Sequence, residues 1–136
     1  MKNGLLNEAN ALAPEITENR RAIHRLAEVG LETPRTAAFI MERLRESGIE
    51  PRRCGKSGVT AVIGAGAPCI LLRADMDALP MREESGLPFA AENGNCHACG
   101  HDCHPAMLLG AAKLLKAHES ELRGTVKLMF QPGEEV

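Results

Sequence analysis

The 136-residue sequence has no tryptophan, no tyrosine and only three phenylalanines. Aromatic platforms for stacking nucleic-acid bases are therefore nearly absent. Sixteen basic against eighteen acidic residues leave a formal net charge of −2, so no basic surplus draws a phosphate backbone or an acidic membrane surface. Neither nucleic acid nor membrane is expected as a partner. No apolar run approaches the roughly 20 residues of a membrane span. Residues 1–8 lack the apolar stretch of a secretory signal. The five cysteines are an odd number, and three of them crowd beside histidines in one segment. That points away from a disulfide framework and towards metal or thiol chemistry in a reducing compartment, so the expected location is the cytoplasm.

What is present suits one globular domain. Hydrophobic residues make up 44% and charged residues 25% of the chain, which is enough for a core built on Leu, Ile, Val, Ala and Met. Ile16, Ile23, Leu26 and Ala27 recur at helical spacing behind Pro14. Thr33-Pro34 reads as an N-cap and first helical position, opening a helix with Ala37, Ile40, Met41 and Leu44 that stops near Gly48. His24, beside Arg25, reads as a solvated surface histidine. From Val59 the period changes. Residues 59–63 form a strand, 64–68 a hairpin turn, and 69–74 a buried second strand in which Cys69 is a small core residue. Cys54 reads as structural. Residues 78–95 are turn-rich, a length of irregular chain that is usually functional. Pro105 opens an almost wholly apolar, hence buried, helix, and residues 125–130 form a third strand. Helices alternating with strands predict an α/β architecture, with helices layered on a mixed sheet.

The chemistry concentrates in Cys96-His97-Ala98-Cys99-Gly100-His101-Asp102-Cys103-His104, where thiols, imidazoles and a carboxylate suit a borderline-soft divalent metal. Glu134-Glu135 follows the last strand. One such carboxylate can ligate a metal while its neighbour acts as general base. Asp75 and Asp77 end another strand and share one face. Two other readings remain open on the residues alone. One is a non-catalytic metal-binding module. The other is a thiol–disulfide oxidoreductase using Cys96 and Cys99, which stand at Cys-x-x-Cys spacing.

Three ordered segments carry a family resemblance: 71–81 (LLRADMDALPM), 97–112 (HACGHDCHPAMLLGAA) and 124–135 (GTVKLMFQPGEE). Together they resemble the N-acyl-L-amino-acid amidohydrolases and hippurate hydrolases of the dinuclear zinc aminoacylase–carboxypeptidase superfamily, and the N-terminal helices with His24-Arg25 also look like that family's start. The resemblance implies a catalytic domain of the dinuclear-metal aminopeptidase-like kind. It implies that Cys99, His101 and Glu135 are metal ligands, that Glu134 is the general base, and that Asp77, with Asp75, supports the metal centre from behind. It further implies two divalent ions per complete site, zinc or manganese, and hydrolysis of the amide bond of a small N-acyl amino acid. Members of that family are considerably longer. Residues 1–136 are therefore expected to be the N-terminal segment of the catalytic domain, without the inserted dimerisation domain and two further histidine ligands. Such a segment would be inactive alone, with an exposed sheet edge. A homodimer, or a partner chain supplying the missing half, would complete it.

Overall fold

The computed structural model describes residues 2–136, with side chains from residue 4 onward. The elements in chain order are α1 (Lys2–Ala11), α2 (Ala13–Leu26), α3 (Pro34–Glu46), β1 (Arg52–Cys54), β2 (Gly58–Ala65), β3 (Cys69–Asp75), α4 (Cys103–Ala117), a 3₁₀ turn (Glu119–Glu121) and β4 (Gly124–Gln131). Among the described residues no helix is long and apolar enough to cross a membrane.

The strands form one mixed sheet in the order β1-β2-β4-β3. β4 runs antiparallel to β2, pairing Val59 with Phe130, and parallel to β3, pairing Asp75 with Gln131. The expected hairpin between β2 and β3 is not formed. The two strands do run in opposite directions, but β4 lies between them, which sets them roughly 10 Å apart at ordinary strand spacing. Residues 66–68 span that slot, and the Thr125 amide donates to the Pro68 carbonyl at 2.9 Å. The approach there is so close that a Cβ on Gly124 would lie 2.2 Å from the Pro68 oxygen, which fixes glycine at the start of β4.

Alternation along the inner strands divides the sheet into two faces. Val59, Ala61 and Ile63 of β2 and Val126, Leu128 and Phe130 of β4 are buried, whereas Val62 is 55% exposed. Ile40 and Leu44 of α3 and Leu108, Leu109 and Ala112 of α4 complete this core on one face. The predicted burial of β3 is also corrected. As an edge strand it leaves Cys69, Ile70 and Leu71 exposed and buries only Ala74 and Asp75 at its end. Its outer edge is unpaired among the described residues.

Two further local readings change. Thr33 precedes α3 with Pro34 in the first turn, yet the Thr33 side chain makes no capping bond. The Glu28 carboxylate does the capping instead, accepting the Arg35 and Thr36 amides at 3.1 and 2.8 Å where the helix dipole favours an anion. α4 begins at Cys103, two residues ahead of Pro105, so the histidine-rich turn runs directly into the helix. The helices α1 and β-strand β1 have no counterpart in the sequence reading. α1 has little amphipathic pattern, and β1 is only three residues long.

Candidate metal centre

Because β3 and β4 are parallel, their C-terminal ends reach the same side of the sheet, the usual position of ligand sites in α/β folds. β3 delivers Asp75 and then Asp77, and β4 delivers Glu134 and Glu135. The Met76 amide, bonded to the Gln131 carbonyl at 2.9 Å, holds the two exits together. Asp77 is 1% exposed and joins the segments. Its Oδ1 accepts the Glu134 amide at 3.0 Å and its Oδ2 accepts the Glu135 amide at 3.1 Å. Its backbone carbonyl accepts Nδ1–H of the buried His101 at 2.9 Å.

That last bond decides the chemistry of His101. A carbonyl only accepts, so Nδ1 carries a hydrogen and Nε2 is the ring atom turned towards the site, the one that can ligate a metal. Around Nε2 stand Glu135 Oε1 at 3.5 Å, Glu134 Oε2 at 3.7 Å and Asp75 Oδ1 at 3.7 Å. Three carboxylates converging on one ring nitrogen are mutually repulsive and favour positive charge among them, which a divalent cation supplies. Cys99 adds sulfur. One donor atom each from Cys99, His101 and Glu135 lies within 4.8 Å of the others. The sulfur, nitrogen and oxygen donors are at the separations that ligands of a single ion adopt, and their chemistry fits a borderline-soft divalent metal. Gly100, at φ 84°, gives the turn the left-handed backbone that brings Cys99 and His101 round together.

Asp75, His101 and His104 form a second set with the same mutual spacing. Here Asp75 is already engaged: His104 Nδ1 hydrogen-bonds it, and Arg73 Nη2 donates to it at 2.9 Å. Burial opposes the charge of Asp75, but the His104 bond and the positive potential of His101, His104 and Arg73 outweigh it and lower its carboxyl pKa. The Cys99 thiol is raised, first by its hydrogen bond to Glu135, then by burial and the charges of Glu135, Glu134 and Asp75.

Cys96 does not have the character of a redox nucleophile. Burial, followed by the charges of Glu83 and Asp102, pushes its thiol up, whereas dithiol catalysis needs a stabilised thiolate. A raised thiol is the reverse of what the oxidoreductase reading requires.

Behind the turn lies a cluster whose burial and contacts sequence reasoning missed. His24 is not solvated; it is 4% exposed. Its Nδ1 lies 2.7 Å from Asp102 Oδ2 and its Nε2 lies 2.9 Å from Glu83 Oε1, an arrangement that a doubly protonated ring satisfies. Arg20 Nε donates to the same Asp102 oxygen at 2.6 Å. For Glu83, burial works against the charge, but hydrogen bonds from Ser85, His24 and the Ala91 amide overcome it and hold the carboxyl at about 2. His97, beside His24, is buried with neither ring nitrogen hydrogen-bonded, and burial lowers it to about 4. The available signal was the position of His24 one residue past the buried Ile23 on α2, but its partners lie 59 and 78 residues away.

Parallel strand ends, a buried imidazole facing carboxylates and a thiol–imidazole–carboxylate donor set give an α/β chain with a candidate metal site. Comparison with known proteins gives the family. Residues 71–136 match the family model of Peptidase family M20/M25/M40. The chain is 46% identical over 130 residues to an N-acetyl-L-cysteine deacetylase of Bacillus subtilis (strain 168), covering 93% of this chain and 31% of that protein. It is 41% identical over 121 residues to an N-acyl-L-amino acid amidohydrolase of Geobacillus stearothermophilus, covering 86% and 33% respectively. A solved Bacillus subtilis structure, described as a dinuclear metal-binding peptidase from the M20 family, superposes with a TM-score of 0.88 at 40% identity, over 93% of this chain and 37% of the other. The chain belongs to peptidase family M20/M25/M40. It spans about a third of the length of these curated relatives.

Proposed function

We propose that residues 1–136 form the N-terminal segment of a metal-dependent amidohydrolase catalytic domain that cleaves the amide bond of small N-acyl amino acids of the hippurate kind. The observation that carries this reading is the His101 Nε2 atom, set among Asp75, Glu134 and Glu135 with Cys99 alongside. The names of the relatives, a deacetylase of N-acetyl-L-cysteine and an amidohydrolase of N-acyl-L-amino acids, supply the substrate class.

In this proposal Cys99, His101 and Glu135 hold a divalent ion, zinc or manganese. When bound, the ion polarises the scissile carbonyl and makes water a competent nucleophile at neutral pH. Glu134, whose side chain is 40% exposed and not itself in the three-donor set, acts as general base. It takes a proton from the attacking water and returns it to the departing amine nitrogen. Asp77 fixes the Glu134–Glu135 backbone, so base and ligand keep their spacing. The second ion of a complete site takes its remaining ligands from outside these residues, either from further chain or from a partner copy. The five free thiols suit a cytoplasmic setting.

The test is elemental analysis after gentle purification, paired with a small panel of N-acyl amino acids. About one equivalent of metal is expected, retained in Glu134→Gln and lost in Cys99→Ala. Turnover by residues 1–136 alone is expected to be absent. Absence of metal at every pH above about 7.5, a unit past the ordinary imidazole value of about 6.5, would overturn the proposal.

A further inference from the structure

The geometry points to His24 as the positioning residue of the metal-ligand turn: through Asp102 it fixes the backbone that carries His101, from a helix that precedes all three motifs and lies outside the matched residues 71–136. The inference rests on the metal-site reading above.

His101 is held from two sides. In front, its Nδ1–H donates to the Asp77 carbonyl. Behind it, the next residue in the chain, Asp102, is 0% exposed, and its carboxylate is oriented wholly from α2. Arg20 Nε and His24 Nδ1 both donate to Oδ2, at 2.6 and 2.7 Å, while Oδ1 is buried without a hydrogen-bond partner. One oxygen therefore carries the whole anchorage, and both of its donors come from one helix. Arg20 retains a solvent path, its side chain being 32% exposed, whereas the His24 side chain is 5% exposed and has no alternative partner in water. The far nitrogen of His24 is anchored in turn. Glu83 receives Nε2 at 2.9 and 3.0 Å and is itself pinned by the Ala91 amide at 2.6 Å. A single imidazole thus ties α2, the irregular segment 78–95 and the ligand turn into one rigid unit. Groups that orient a metal ligand from behind in this way commonly set affinity without touching the ion.

A structural role alone would make any loss at His24 equivalent to any other, and the two amide isosteres separate the cases. The Asn amide reaches the place of Nδ1 and can still donate to Asp102. The Gln amide reaches the place of Nε2, keeping Glu83 but leaving Asp102 to Arg20. The experiment compares wild type, His24→Asn and His24→Gln of the full chain by zinc competition titration, by the sulfur-to-cobalt charge-transfer band of the cobalt(II) form, and by chemical unfolding of the metal-free protein. His24→Asn is expected to stay within about threefold of wild-type zinc affinity, and His24→Gln to bind roughly 10- to 100-fold more weakly. The charge-transfer band should weaken in the Gln variant only. Both variants should unfold at similar denaturant concentrations, because each loses one hydrogen bond to a carboxylate. Equal zinc affinity in the two variants, or affinities that follow the metal-free unfolding midpoints, would overturn the assignment while leaving the metal site standing. A wild-type chain that binds neither zinc nor cobalt would overturn both.

Discussion

Replacing Asp77 by asparagine tests the centre at its hinge. The carboxylate accepts two backbone amides, Glu134 at 3.0 Å and Glu135 at 3.1 Å, and with 1% of the residue exposed, water has no room to replace it. Asparagine keeps the shape and one acceptor but turns an NH₂ towards the other amide. One charge-assisted bond is lost and two donors face each other. A hydrogen bond to a charged group contributes roughly 1.5–3 kcal/mol, so Asp77→Asn should cost about 2 kcal/mol and Asp77→Ala, which removes both acceptors, about 4 kcal/mol. Guanidinium unfolding in the presence of a chelator reads this directly, with an unchanged slope showing that the compactness of both states is preserved. The ligand turn feels the same change. Once its amides are released, Glu135 no longer has a fixed approach to His101, and zinc affinity should fall about tenfold or more in the Asn variant. An Asn variant within about 0.5 kcal/mol of wild type that binds zinc normally would refute the view of Asp77 as the joint between the two strand ends.

Packing, acid stability and thiol reactivity give three further expectations. A Cβ on Gly110 would stand 2.6 Å from Ile16 Cδ1 and 2.9 Å from Cγ1, so G110A should lose about 1–2 kcal/mol despite its better helix propensity, and I16V, which deletes that Cδ1, should recover at least about 0.5 kcal/mol in the double variant by thermal unfolding. In the folded chain the Glu83 carboxyl sits at about 2 against an ordinary 4.5. The unfolded chain therefore takes up that proton first, and this stabilisation, complete above pH 4.5, drains away as the pH falls towards 2. Glu83→Gln should flatten that acid limb in a pH series of unfolding midpoints, and an unaltered limb would contradict the network. Because burial raises the Cys96 thiol, alkylation of Cys96 at neutral pH should be slow and Cys96→Ser should bind zinc as wild type does; rapid alkylation or lost zinc would restore a role for that thiol.

What the sequence disclosed, and what it concealed, divides along the range of the interactions involved. The α2 and α3 spans, the β2 and β4 strands and the irregular segment 78–95 follow from local period and turn chemistry, and all are present. The donor-rich segment was legible because its residues are contiguous. Strand order was not: Gly64-Ala65-Gly66-Ala67-Pro68 has the composition of a hairpin turn, and only a strand sixty residues later occupies the gap it leaves open. The apolar β3 reads as core because composition cannot tell a central strand from an edge whose Leu71 is 58% exposed. His24 was concealed for the opposite reason. Its neighbours Arg20, Arg21 and Arg25 give a solvated pattern, and its partners Asp102 and Glu83 are brought to it only by the tertiary fold.

The placement of β4 between β2 and β3 also has a temporal side. Those two outer neighbours share no hydrogen bond with each other, and each is satisfied along its inner edge only when residues 124–131 slide between them. Assembly of the sheet is consequently a non-local event, of the kind that slows folding because loop closure precedes any return in pairing energy. During synthesis, β2 and β3 leave the ribosome with open inner edges and bare apolar faces, and they wait for β4 to arrive. Glu135 emerges later still than β4, so an ion can find all three donors together only in a chain whose sheet is already closed. Ion capture by these donors would then follow closure of this sheet rather than initiate it, and the interval before closure is when the segment is most exposed to sticking to its neighbours.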